Sequence, residues 1–307
     1  MAGPPGIEPG TYGESALLPL NSLSDVNLRF TEFEKDLACF RDYLLVDEQK
    51  SKVTASNYVA LVKRFFKWVD GPVTVDSMRA YLKKVKEKCS RDHYALTLSS
   101  LKAYFGRFKC MPQLVSTFKF PPKTFIPKTI PSRNDLKRFY EALPSVRMKA
   151  YFLLVASSGL RKGEVLGLTV NDVDFKLRMF TPHSHKGTSK HSWVSFFNAE
   201  AEEMLKRFRA HLTVKQRKSY KLIPISNRDF KAEWKTAQVK TGLKLTSKCL
   251  RDWFAEEMGK LGVADRYIDA FQGRTPASVL ARHYTDYNPE KLKEVYDKAG
   301  LKVLSGE

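Results

Sequence analysis

Four short stretches carry side chains suited to handling a phosphodiester. They are Ser157-Ser158-Gly159-Leu160-Arg161-Lys162-Gly163-Glu164, Lys248-Cys249-Leu250-Arg251-Asp252-Trp253-Phe254-Ala255, Phe271-Gln272-Gly273-Arg274 and Arg282-His283-Tyr284-Thr285. A guanidinium holds a permanent charge on a rigid fork of donors, which matches two non-bridging phosphate oxygens. Were the target a phosphodiester, Arg161 and Arg251 would be the pair for such a clamp, acting as an oxyanion hole does on charge that develops at a pentacoordinate phosphorus. Tyr284, ten residues past Arg274, supplies a phenol for attack. A free phenol ionises near pH ~10 and needs nearby cations to favour its phenolate. A phosphotyrosyl link would conserve the energy of the broken bond, so neither ATP nor metal is required and no cofactor is expected. No G-x-x-x-x-G-K-[ST] loop is present. His183, His185 and His191 lack neighbouring carboxylate or thiol ligands, which argues against zinc. The first stretch alone reads equally as a helix–turn–helix joint with a surface arginine.

Taken together and in this order, the stretches resemble the tyrosine recombinases (integrases). The boxes of that family read T-G-L-R-x-x-E-L, then H-x-L-R-H-x-F-A with lysine sometimes first, then L-G-H with tyrosine nine or ten residues on. The likeness covers the C-terminal half well and the N-terminal half only in general character; within the family it is most like the archaeal SSV-type integrases of viruses and plasmids. The resemblance implies a mainly α, two-domain protein with a small antiparallel β-sheet: a helical core-binding domain plus an α+β catalytic domain. It implies cutting one DNA strand at a time through a 3′-phosphotyrosyl intermediate, to integrate or excise a mobile element. Tyr284 would be the nucleophile. Lys186 would be the general acid for the 5′-oxygen leaving group, because Lys186-Gly187 matches the family's Lys-Gly hairpin; Lys190 is a rival and a further candidate DNA contact. Lys248 stands where the family has His or Lys. Arg274 stands where the family usually has His or Trp, a departure that suits phosphate contact and not proton transfer. Glu164 matches the family's acidic residue and would orient Arg161 or Lys248. Tyr287 and Tyr267 are alternative phenols, the second too early for the spacing. The implied partner is double-stranded DNA, bound by a homotetramer whose segment after the nucleophile docks on a neighbouring subunit, even where the free protein is a monomer. Two other readings stay open: a type IB topoisomerase-like nicking-closing enzyme, and a non-catalytic DNA-binding protein of the same fold.

These residues need elements to hold them. The apolar run Tyr151 to Ala156 predicts a buried helix that breaks at Gly159 and restarts beyond Arg161. Ser132 is expected to cap a helix carrying Leu136, Phe139, Tyr140 and Leu143. Val173 to Phe180 and Trp193 to Phe197 alternate as strands, with the polar tip His183 to His191 between them. A helix is expected over 229–240. Thr246 or Ser247 then opens the helix of Lys248 and Arg251. Val263 to Phe271 is a short helix stopped by Gly273. Thr275-Pro276 reads as an N-cap and first turn, which places Tyr284 near the end of the next helix. Residues 289–303 form a last amphipathic segment.

Upstream, helical periodicity starts near residue 26, with Phe33, Leu37, Phe40 and Leu44 on one face. Thr54 is expected to cap the next helix, Thr74 the third, and a fourth carries Leu98, Leu101, Tyr104, Phe105 and Phe108. The aromatic stripes read as core. Lys63, Arg64, Lys67, Lys83, Lys84, Lys86 and Lys88 fall outward as candidate phosphate contacts. The proline-rich stretch Phe120 to Pro131 reads as a linker. The expected organisation is a tail over 1–25, a core-binding domain over 26–119, a linker over 120–131 and a catalytic domain over 132–307.

At 307 residues with 43% hydrophobic content, the chain can bury two cores. A net charge of +20 points to a polyanionic partner. No apolar run approaches the ~20 residues of a membrane span, and no signal-peptide pattern opens the chain. Cys39, Cys89, Cys110 and Cys249 are scattered, as in a reduced, cytoplasmic protein. Residues 1–25, rich in Gly, Pro and Ser and without periodicity, read as a disordered tail; the resemblance to SSV-type integrases leaves open a second reading, a translated attachment site, because the codons of Gly6-Ile7-Glu8-Pro9-Gly10 can spell the complement of a transfer-RNA T arm.

Overall fold

The computed structural model describes residues 23–122, 124–125, 127–182, 193–212, 220–275 and 278–305, with side chains from residue 32 onward. The tail expected over 1–25 therefore lies, up to residue 22, outside the described residues. The chain divides into two compact units, one ending at Phe125 and one beginning at Ile126.

The first unit is helical. It contains α1 (Leu23–Val46), α2 (Lys52–Trp68), α3 (Val75–Lys88) and α4 (Arg91–Leu101), the last running into a π-helical turn at Lys102–Phe108. Thr74 caps α3 as expected, exchanging bonds with Ser77 in a capping box. The cap of α2 is Ser51 and not Thr54: the Ser51 hydroxyl accepts the Thr54 N–H at 3.2 Å, so the helix begins one turn earlier. Phe40, Leu44, Val62, Phe65, Met78, Leu98 and Leu101 are fully buried, each worth roughly 1.5–3 kcal/mol. The aromatic stripes are thus core. The π-turn is tied back to α1 and its following loop, because Arg107 pairs with Glu48, and Lys109 and the Tyr104 hydroxyl both bond Asp36.

The second unit is built on α6 (Val146–Ser158), buried along nearly its whole length. A helix apolar on all sides must be surrounded. Around it lie α5 (Arg133–Ala142), α7 (Lys162–Gly167), α8 (Ala199–Ala210), α9 (Asn227–Thr241) and α10 (Ser247–Lys260). Ser132 caps α5 through a capping box with Asp135. Strands β1 (Val173–Asp174), β2 (Met179–Phe180) and β3 (Ser195–Phe196) form an antiparallel sheet in the order β1-β2-β3, with Val173 opposite Phe180 and Phe180 opposite Ser195. The Ser195 hydroxyl donates to Ser158 O at 2.6 Å and pins the sheet to the end of α6. The fold is mainly α with a small antiparallel sheet, as expected.

After α10 come α11 (Asp265–Phe271), α12 (Val279–His283) and α13 (Pro289–Ala299). The cap of α12 is Ser278, which accepts the Ala281 N–H at 3.1 Å, so the expected start at Thr275 is three residues early. The C-terminal segment, expected to dock on a neighbour, packs here on the core of its own chain. Leu292, Tyr296, Leu301 and Val303 are buried, and the Tyr296 hydroxyl donates to Ser157 O at 2.7 Å. The Glu200 carboxylate accepts the N–H groups of Val303, Leu304 and Ser305. Among the described residues no helix is long and apolar enough to cross a membrane.

Candidate active site

The site grows from the break after α6. Gly159 ends that helix with φ +66°, a left-handed conformation that glycine adopts without a Cβ clash. Contact demands glycine as well: a Cβ here would lie 2.7 Å from Phe254 Cε1 and closer still to Cδ1. Phe254 is fully buried on α10, so α10 lies flush against the break. One turn before Phe254, that helix delivers Arg251. Its Nη1 donates to Gly159 O at 2.7 Å and its Nη2 to Gln272 O at 2.5 Å. The residue is only 9% exposed.

Arg161 occupies the N-cap of α7. Its backbone N–H donates to Glu164 Oε2 at 2.6 Å and its Nη1 to Glu164 Oε1 at 2.8 Å. Its Nη2 reaches Gly273 O at 3.2 Å. Glu164 Oε2 also stands 4.0 Å from Arg251 Nη1. The turn after α11 thus offers consecutive carbonyls, Gln272 O to Arg251 and Gly273 O to Arg161, while one carboxylate serves both. Burial first, and then the Arg161 charge, push the Arg251 guanidinium down to about 10 against the pull of Glu164. It stays charged at neutral pH. A buried guanidinium beside a half-buried one is stable only with compensating carbonyls and carboxylates, and the remaining donors suit an anion with two charged oxygens.

Arg274 lies near Arg251, is exposed, and pairs with Asp269 at 3.5 Å. It borders a hollow of about 150 Å³ lined also by Trp193, Val194, Ala270, Gly273, Tyr287 and Leu292. Lys248 is exposed in the first turn of α10, three residues before Arg251 and so on the same face. Tyr284 caps the C-terminus of α12, 77% exposed. The Tyr287 hydroxyl, by contrast, donates to Ala281 O at 2.5 Å, and its ring packs edge-on to Tyr267. The structure therefore gathers Arg161, Arg251, Glu164 and Arg274, and leaves Tyr284 in solvent at the end of its helix. Lys186 and Lys190 lie outside the described residues, as do His183, His185 and His191.

In the first unit Arg64, Lys67, Lys83 and Lys84 are exposed, and Lys84 Nζ sits 5.3 Å from the Trp68 ring centroid. Lys63 is engaged by Glu34. Sequence reasoning named Lys86 but missed Arg91, Lys119 and Tyr94, which line with it a basic hollow of about 390 Å³ in this unit. It also passed over Gln272, whose only visible signal is an amide standing where the family's third box has leucine.

Residues 132–291 match the model of the phage integrase family, and residues 37–109 match that of the phage integrase N-terminal SAM-like domain. The chain is similar to the tyrosine recombinase XerA of Pyrococcus furiosus, 27% identical over 285 residues, covering 87% of this chain and 96% of the relative. It is 29% identical over 277 residues to the XerA of Pyrococcus horikoshii, covering 85% and 92%. Among solved structures, a lambda integrase tetramer bound to a Holliday junction shares the fold with a TM-score of 0.63, at 15% identity, over 83% of this chain and 77% of that one. With the paired arginines in place and a family model spanning more than half its length, the chain belongs to the phage integrase family, the tyrosine-type site-specific DNA recombinases.

Proposed function

We propose that the protein cleaves and rejoins DNA strands through a 3′-phosphotyrosyl intermediate, with Tyr284 as nucleophile. The observation that carries this reading is the pair of guanidinium groups held on neighbouring carbonyls around Glu164. Their outward donors take the two non-bridging oxygens of the scissile phosphate and stabilise charge as the phosphorus becomes pentacoordinate. The same cations favour the Tyr284 phenolate. Attack forms the tyrosyl–phosphorus bond and breaks the bond to the 5′-oxygen, which takes a proton from Lys186. Lys248 and Arg274 add contacts to the phosphate, and Glu164 holds both arginines. Arg64, Lys67, Lys83, Lys84 and, once released from Glu34, Lys63 bind duplex phosphates from the core-binding domain, over residues 26–119, joined by the 120–131 linker to the catalytic domain over 132–307.

Two duplexes and four cuts call for four protomers, and the lambda integrase tetramer supports that assembly. The tetramer forms on DNA when the segment after α12 leaves its own core and docks on a neighbour. The substrate is a mobile element that enters a transfer-RNA gene, as the codons of residues 6–10 suggest.

The test is intermolecular recombination. Two plasmids, one bearing the DNA that encodes residues 1–25 and one bearing a host transfer-RNA gene of matching T arm, are incubated with the protein. Cointegrates support the proposal. Relaxed plasmids without cointegrates would favour a nicking-closing enzyme, and bound but uncut DNA would favour a binding protein.

A further inference from the structure

We propose that Gln272 is a positioning residue for strand cleavage: its side-chain amide fastens the turn after α11 to α10 and so sets the spacing of the Arg161 and Arg251 guanidinium groups. The inference rests on the recombinase reading and extends it to Gln272, which stands in the third stretch but carries none of the roles assigned there.

Gln272 is fully buried. Its Nε2 donates to Arg251 O at 2.7 Å, while its own backbone oxygen accepts Arg251 Nη2 at 2.5 Å. The two residues are thus joined twice, backbone to side chain in each direction. A single hydrogen bond leaves a turn free to pivot; two in opposite senses fix both position and orientation. The next carbonyl, Gly273 O, takes Arg161 Nη2 at 3.2 Å. That carbonyl is aimed by Gly273, whose φ of +56° reverses the chain after α11. Whatever holds Gln272 therefore holds both arginine seats at once.

The amide is not there for packing. Its Oε1 is buried with no hydrogen-bond partner, a cost that an apolar side chain in the same space would avoid. Leucine, which stands here in the family's third box, would fill similar space without that cost. What leucine lacks is the donor on Nε2. The remaining account of the amide is the bond to Arg251, which keeps a buried cation and its seat in register.

The test compares the full-length protein with Gln272→Met, close in size but without a donor, and Gln272→Glu, which keeps the shape and exchanges the donor for an acceptor. Each is mixed with a nicked duplex carrying either a phosphate or a neutral methylphosphonate at the scissile position. Single-turnover rate constants are measured, since these do not depend on the fraction of folded protein. Gel-shift affinity and the melting midpoint are measured alongside. Both variants are expected to bind DNA as the unsubstituted protein does and to cleave the phosphate roughly 10- to 100-fold more slowly. On the methylphosphonate, which has one charged oxygen fewer for the arginines to hold, the deficit should shrink. Equal deficits on the two substrates, or unchanged rates on both, would overturn the inference while leaving the recombinase reading intact. No covalent adduct from the unsubstituted protein would overturn both.

Discussion

Replacing Gly159 with alanine adds one methyl group where two separate costs meet. The backbone there is left-handed, φ +66°, and a residue with a Cβ held in that region costs about 1–3 kcal/mol. The new carbon would also press on the edge of the Phe254 ring, 2.7 Å from Cε1 and well inside van der Waals contact, and that ring is fully buried; overpacking of that kind adds about 1–3 kcal/mol. Gly242 provides the control, since its φ is +70° but nothing lies within 4 Å of its would-be Cβ. Gly242→Ala should bear the backbone cost alone. At about 2–4 °C per kcal/mol for a unit of this size, Gly159→Ala should melt roughly 2–12 °C below Gly242→Ala. Trimming Phe254 to leucine in the Gly159→Ala background should return part of the loss, so the double variant is less damaged than the sum of the singles. Cleavage should fall with stability only in Gly159→Ala, because Gly159 O is a seat of Arg251. Thermal unfolding followed by circular dichroism measures the first effect. Equal melting points for the two glycine variants would refute the argument that Phe254 fixes the break.

Further outcomes follow from the same geometry. Arg251→Lys replaces the two guanidinium nitrogens seated on Gly159 O and Gln272 O with a single ammonium and loses the planar fork, so single-turnover cleavage should drop by about 10²–10³-fold while gel-shift affinity changes little. Tyr287→Phe removes the bond to Ala281 O and should lower stability by about 1 kcal/mol in urea titration, yet still form the covalent adduct. Glu200→Gln should lower stability at neutral pH by about 1–3 kcal/mol. Burial pushes the Glu200 carboxyl up, but the N–H groups of Ser305 and Val303, the Ser305 hydroxyl and the Asn198 amide together hold it below its ordinary range. A depressed carboxyl contributes stability above its unfolded value of about 4.3, and that contribution is lost as pH falls through the folded value. The gap between Glu200→Gln and the unsubstituted protein should therefore close below pH ~4; a gap constant with pH would contradict the carboxylate's role.

The break at Gly159, the Arg161 N-cap and the caps at Thr74 and Ser132 were legible because each is written locally: an apolar run, a glycine, a hydroxyl followed three residues later by a polar partner. The starts of α2 and α12 were misplaced for a local reason too. Ser51 and Thr54, or Thr275 and Ser278, are hydroxyl residues one turn apart, and only the packed helix decides which carries the cap. The seat of the C-terminal segment was not legible, since Leu292, Val295, Tyr296 and Ala299 give the same stripe whether it covers its own core or a neighbour's. The part Gln272 and Gly273 play in seating the arginines escaped because it rests largely on their carbonyls. Every residue has a carbonyl, and only the fold brings these two beneath guanidinium groups 21 and 112 positions away.

The central claim is that a tyrosine at the end of α12 takes the DNA strand onto itself. It is tested most directly by trapping the protein on a duplex nicked just beyond the scissile phosphate, digesting the adduct and locating the nucleotide-bearing residue by mass spectrometry. The account predicts a phosphodiester on Tyr284 and no adduct from Tyr284→Phe. A nucleotide carried by Tyr287, Tyr267 or any other side chain, or an adduct that survives Tyr284→Phe, would contradict it.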